Sequence, residues 1–293
     1  MGLAWQQAPH GPHPAGRFLT RAPIPAHVLY AEPADRRMRV ELAGVVVAAS
    51  DAVTLLHETG FYPVAYFPPS DVGAGLLRPS GKRTSHLELG RAAWWSVRAG
   101  DQTFENVAWS YPRPPEHAAA MRGLVAFAWA RMDAFYEEDE PIFGHAADPY
   151  HRVDVRASSR HLTVRLGGQV VADTRAPLAV FETGFVARWY LPRRHVAADA
   201  LRDDPTRTMC PYKGVAHYYE VVVGDDRVAG GAWSYPEALP ESARLRGYVS
   251  FNPGLLEMEV DGERLVAAEH QQVIPAGADR DLTARASRWR GGV

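Results

Sequence analysis

The sequence predicts a mainly β protein: two homologous small antiparallel β domains with one short helix each, packed as an intramolecular pseudo-dimer. Three observations predict it. One is an internal repeat held in a single register, another is a run of short β-branched and aromatic segments between turn residues, and the third is one helical candidate per copy.

Residues 58–68 read ETGFYPVAYFP and residues 182–192 read ETGFVARWYLP, while residues 108–112 and 232–236 both read AWSYP. Both matches share one offset, since 182 − 58 = 124 and 232 − 108 = 124. The same shift aligns Gly44 with Gly168, Arg83 and Thr84 with Arg207 and Thr208, Gly90 with Gly214, and Phe127 with Phe251. A period this long duplicates a whole domain, because solenoid repeats run to about 20–50 residues.

In chain order, residues 1–35 are rich in Pro and His and are expected to run extended along the surface. The first repeat spans 36–140, and an acidic, proline-containing linker covers 141–151. The second repeat spans 152–268 and a tail covers 269–293. Each repeat opens with a hairpin, MRVELAGVVVAAS or HLTVRLGGQVVADT, whose Ala43-Gly44 or Gly167-Gly168 suits a tight turn. Short strands follow: VTLLHE, PVAYFP, AAWWSVRAG and TFENVAWSYP, mirrored by LAVFE, ARWYLP, AHYYEVVVG and RVAGGAWSYP. The helical candidates are PPEHAAAMRG and LPESARLRG, each ending at a glycine that suits a helix C-cap.

A chain of 293 residues, 46% hydrophobic and 23% charged, is long enough for two cores. A net charge of −2 argues against nucleic acid or an anionic membrane and favours neutral small molecules or proteins as partners, a small-molecule ligand being the expectation here. The single cysteine excludes an intramolecular disulfide, and no Cys-x-x-Cys is present. No signal-like apolar segment and no run of about 18 apolar residues occurs, so the expectation is a cytoplasmic, non-membrane protein. DVGAGLL lacks the lysine and context of a phosphate loop, and the histidines do not fall at metal-ligand spacing, so no cofactor or metal is expected.

The residues that could carry chemistry gather in the second copy. Cys210 is a nucleophile candidate if the Lys213 ammonium lowers its pKa, and otherwise a small buried hydrophobe. Lys213 could bind an anion or form a Schiff base, or be a solvated turn lysine. Glu182, like Glu58, could act as a general base or cap its turn. His217 is a candidate base if the strand carries it to the side of Cys210. Tyr190, Tyr219, Trp233 and Tyr235 either line a pocket suited to stacking a sugar, nucleobase or heterocycle, or fill the core.

Glu-Thr-Gly followed by a Tyr/Pro-rich strand, Arg-Thr-x-Cys-Pro-Tyr-Lys-Gly-x-Ala-x-Tyr-Tyr, and Ala-Trp-Ser-Tyr-Pro together resemble domain-of-unknown-function family 427. The resemblance covers both copies. It implies a small, mostly β domain of a tent-like kind, occurring singly or in tandem, with no established activity. A nucleotidyltransferase label is attached to the family, but the Gly-Ser plus paired-aspartate pattern of that metal-dependent chemistry is absent. The second copy keeps the motif as Cys210 to Gly214, whereas the first has His86-Leu-Glu-Leu-Gly90. The expected function is therefore a small-molecule site in the second repeat, serving a Cys/Lys-dependent group-transfer or hydrolytic enzyme. The alternative is a non-catalytic ligand-binding module with an aromatic-lined pocket.

Overall fold

The structure is a computed structural model that describes residues 2–267, so the tail expected over 269–293 lies outside the described residues. The chain divides into two compact units, one containing residues 18–148 and the other residues 2–17 together with 149–267.

Each unit holds a seven-stranded antiparallel sheet and a four-stranded one. In the second unit the large sheet runs, edge to edge, Val153–Ala157, Leu178–Glu182, Arg188–Pro192, Tyr248–Phe251, Asp226–Ser234, Gly214–Val223 and Leu201–Cys210. In the first it runs Leu29–Pro33, Thr54–Glu58, Val64–Phe67, Val125–Phe127, Gln102–Ser110, Gly90–Ala99 and Leu77–His86. The strand order is identical, and most strands begin at the offset of the sequence repeat (178 − 54 = 124). The two domains are thus homologous in topology as well as in sequence.

The opening hairpins close as expected. Ala43 and Gly44, and likewise Gly167 and Gly168, all have positive φ, as a two-residue type I′ turn requires. Alternation along the strands gives the large sheet two buried faces. In the second unit, one face packs Leu191, Val221 and Phe251 against Leu162 and Val164 of the small sheet. The other gathers Val180, Tyr190, Ala216, Tyr218, Trp233, Tyr235 and Leu245.

Three expectations change. The helical candidates are short 3-10 segments, Glu116–Met121 and Pro240–Leu245, each with a non-helical residue inside. Six residues give too few hydrogen bonds to offset α-helix nucleation, and flanking prolines favour turns. The stretch expected as a surface extension contributes the edge strand Leu29–Pro33, which pairs with Thr54–Glu58. Its first part, residues 2–17, groups with the second repeat instead. Finally, the strand Glu140–Ile142 crosses the expected start of the linker.

Candidate functional site

The Glu-Thr-Gly motif ends the strand Leu178–Glu182, and each of its residues has a separate task. Gly184 takes φ +81°, which turns the chain so that Phe185 N–H reaches the Glu182 carbonyl at 3.0 Å. Thr183 clasps the incoming segment: Arg152 N–H donates to its Oγ1 at 2.9 Å, and Thr183 N–H donates to the Arg152 carbonyl at 2.9 Å. That clasp delivers His151. Its Nε2–H donates to Glu182 Oε1 at 3.2 Å, and its side chain is fully buried.

The hairpin Cys210 to Gly214 supplies the other half of the site. Cys210 pairs with Gly214, leaving Pro211, Tyr212 and Lys213 as the loop. Gly214 has φ +95°, and a β-carbon there would lie 3.1 Å from the Glu237 carbonyl oxygen, so the position needs glycine twice over. The 3-10 segment buttresses the loop, with Ser242 Oγ donating to the Tyr212 carbonyl at 3.0 Å and Leu239 N–H to that of Lys213 at 3.2 Å. The loop thereby sets the Lys213 ammonium in a buried hydrogen-bonded ion pair with Glu182 Oε2. It also stacks Tyr212 on the His151 ring, with centroids 3.9 Å apart.

The electrostatics follow from burial opposed by pairing. Burial alone would raise the Glu182 carboxyl, but the Lys213 charge and the His151 and Lys213 hydrogen bonds outweigh it and hold the carboxyl well below its usual range. Burial works against the Lys213 ammonium, yet Cys210 and Glu182 raise its pKa, and Glu182 is the partner ionised at neutral pH. His151 is pushed down, chiefly by burial, which Glu182 opposes and Lys213 reinforces. Its ring is neutral, with Nε2–H fixed on Glu182. Its Nδ1 lone pair is buried and finds no hydrogen-bond partner among the described residues.

Of the two readings of Cys210, the electrostatics favour the buried thiol. Burial raises the thiol pKa more than Lys213 and the backbone N–H groups of Tyr212 and Lys213 lower it. The cation that was to activate the thiol is already neutralised by Glu182, so Cys210 is a protonated thiol at neutral pH.

The first repeat contains the same frame with two exchanges. Thr59 clasps Val28, and His27 Nε2–H donates to Glu58 Oε1 at 2.9 Å. Leu89 stands where Lys213 would, and His86 takes the place of Cys210. His86 Nδ1 accepts the N–H groups of Glu88 at 3.0 Å and Leu89 at 3.2 Å, which leaves the proton on Nε2 to reach Glu58 Oε1 at 3.1 Å. Each repeat therefore gives its glutamate two donors: His27 and His86 for the part-buried Glu58, His151 and Lys213 for the buried Glu182. The tautomer of His86 removes it as an Nε2 metal ligand. Among the described residues no group of three or more His, Cys, Asp or Glu is placed to hold a metal ion.

The structure brings Glu182, Cys210, Lys213, Tyr190, Trp233 and Tyr235 to one face of the large sheet. His217 and Tyr219 are corrections. Thr208 pairs with Ala216 and Cys210 with Gly214, so His217, the neighbour of Ala216 and the partner of Arg207, projects from the opposite face and cannot serve Cys210 as a base. Tyr219 shares that opposite face, where its hydroxyl meets Ser234 Oγ at 2.9 Å and its ring joins the inner core. The remaining aromatics pack on one another. Trp233 Nε1–H donates to Tyr190 Oη at 3.2 Å, and the first repeat has the same bond from Trp109 to Tyr66 at 3.1 Å. A small recess of about 40 Å³, partly open to solvent, lies elsewhere in this repeat, along Val186–Trp189, Phe251 and Met258. None of Tyr190, Tyr219, Trp233 or Tyr235 lines it.

Sequence reasoning missed His151, which it left in the linker. The signal was present, because His27 and His151 also stand 124 apart (151 − 27 = 124).

Fold and site together define a tandem all-β protein whose two domains each hold a glutamate between two donors, part-buried in the first and buried in the second. The family model for Domain of unknown function (DUF427) matches residues 30–138 and again 154–263, and the chain belongs to that family. No curated protein matches the chain. No helix among the described residues is long and apolar enough to cross a membrane.

Proposed function

We propose that the second repeat carries a small-molecule site in which His151 is the acid–base group, Glu182 orients it, and Lys213 keeps Glu182 ionised. The observation that carries this reading is the buried, unpartnered Nδ1 of His151 on a ring whose other nitrogen is fixed by a carboxylate. A base held by an orienting carboxylate is the arrangement that general acid–base chemistry uses. The matching ligand offers Nδ1 a hydroxyl or an N–H. As an enzyme the site would catalyse group transfer or hydrolysis, with Nδ1 taking the proton of that hydroxyl or of a water. Cys210, a protonated thiol, would serve as a hydrogen-bond donor and not as the nucleophile.

A second reading has its own support. The first repeat keeps a doubly held glutamate without the thiol or the ammonium, which favours a structural clamp joining three chain segments. Native mass spectrometry separates the two. The protein is incubated with pooled fractions of sugars, nucleosides and small heterocycles. A site at His151 predicts a bound mass on the wild type that is lost in His151→Phe and kept in His27→Phe. No bound mass, or one that persists in His151→Phe, leaves the clamp.

A further inference from the structure

We infer that residues 2–17 form a strap that closes over the His151–Glu182 site, and that a ligand enters when the strap lifts from the Glu182–Thr183–Gly184 turn. The inference rests on reading that cluster as the site. Residues 2–17 belong to the same compact unit as the second repeat. Gln7 N–H donates to the Gly184 carbonyl at 3.3 Å, which ties the segment to the turn that presents Glu182. At its other end Gly2 presses on the backbone carrying His151. A β-carbon on Gly2 would fall 2.2 Å from the Tyr150 carbonyl carbon and 2.5 Å from the His151 nitrogen. Only a glycine permits that approach.

The segment is built to move as a piece. It contributes no strand to either sheet, so lifting it breaks no ladder. It is folded by short-range backbone bonds of its own, from Ala8 to Trp5 at 2.9 Å, His10 to Leu3 at 3.0 Å, His13 to Gln6 at 3.0 Å and Ala15 to Gln7 at 3.1 Å. Gln6 is held at φ +46°, a conformation that a non-glycine residue adopts only under constraint. Segments that gate sites are locally folded elements that can open without global unfolding.

Diethyl pyrocarbonate, which acylates unprotonated imidazole nitrogen, reads the strap directly when peptide mass spectrometry follows His151 and uses His27 as an internal reference. Gly2→Val and Gln7→Pro should each raise the His151 acylation rate roughly tenfold or more while leaving that of His27 unchanged. An unchanged His151 rate in both folded variants overturns the strap. Amide exchange of the wild type provides a second measurement that needs no variant. The Gln7 amide should exchange far faster than sheet amides such as that of Val180, and equal protection overturns the inference. Neither measurement uses a ligand. A released strap with no bound mass therefore sinks the site and keeps the strap, and the reverse outcome does the opposite.

Discussion

His151 meets the Glu182 carboxylate at 3.2 Å across 31 residues of chain, and His27 meets Glu58 at 2.9 Å across the same separation. The duplicated contact shows what the Glu-Thr-Gly motif does: the threonine clasps a passing segment, and the glutamate receives the histidine that the segment carries.

The ion pair in the second repeat is buried, so breaking it from one side strands a charge. Lys213→Met or Glu182→Gln alone should cost about 3–5 kcal/mol in urea unfolding. The double variant Glu182→Gln with Lys213→Met should lose clearly less than the sum of the two single losses, because no charge is left behind. Additive losses would show that the two side chains do not act as a pair.

Thiol chemistry tests the electrostatics at Cys210. Burial raises its pKa, so the iodoacetamide rate in the native protein should climb only above the ordinary thiol range of about 8.5. Lys213→Met should push the climb higher still, since the Lys213 charge is the main influence holding the thiol down. A fast, pH-independent reaction near pH 7 would mean an activated thiolate.

Acid stability should fall in two steps. The His151 pKa lies below its ordinary 6.5 in the folded state, so the unfolded chain takes up the proton first and stability declines as pH drops below about 6.5. The Glu182 pKa lies below its ordinary 4.5, so its contribution is complete above that value and is lost as pH falls further through the folded value. His151→Phe should remove the first step and Glu182→Gln the second, as read by urea midpoints from pH 7 to pH 3. Unchanged profiles would contradict both assignments.

In the first repeat, His86→Ala should cost about 1–3 kcal/mol, because it leaves the Glu88 and Leu89 amides without their acceptor and Glu58 with one donor. His86→Cys with Leu89→Lys recreates the arrangement of the other repeat and should recover most of that loss. Equal stability of His86→Ala and the wild type would remove the clamp from this domain.

Much of this was legible in the sequence. The repeat offset fixed the number of domains, and Ala43-Gly44 and Gly167-Gly168 marked their hairpins because only positive φ closes a two-residue turn. The long edge strands Leu77–His86 and Leu201–Cys210 were not legible, since Pro79, Gly81 and Pro205 interrupt polar stretches that pair along one side. Glu182 and Lys213 were recognised as residues but not as partners, because their contact joins a strand end to a hairpin loop 31 positions away. Of the two readings open for the aromatics, packing in the core has a physical reason. Tyr190 and Trp233 satisfy each other's polar atoms inside the core, so a tyrosine and a tryptophan needed no pocket.

His151 carries a free Nδ1 lone pair because Glu182 holds its Nε2–H. A long-range 1H–15N correlation spectrum of the imidazoles tests it most directly, with His151→Phe assigning the signal. The expected result is a neutral His151 ring at pH 7, protonated at Nε2, with an Nδ1 shift typical of an unprotonated nitrogen. A proton on Nδ1, or a doubly protonated ring at pH 7, would contradict it.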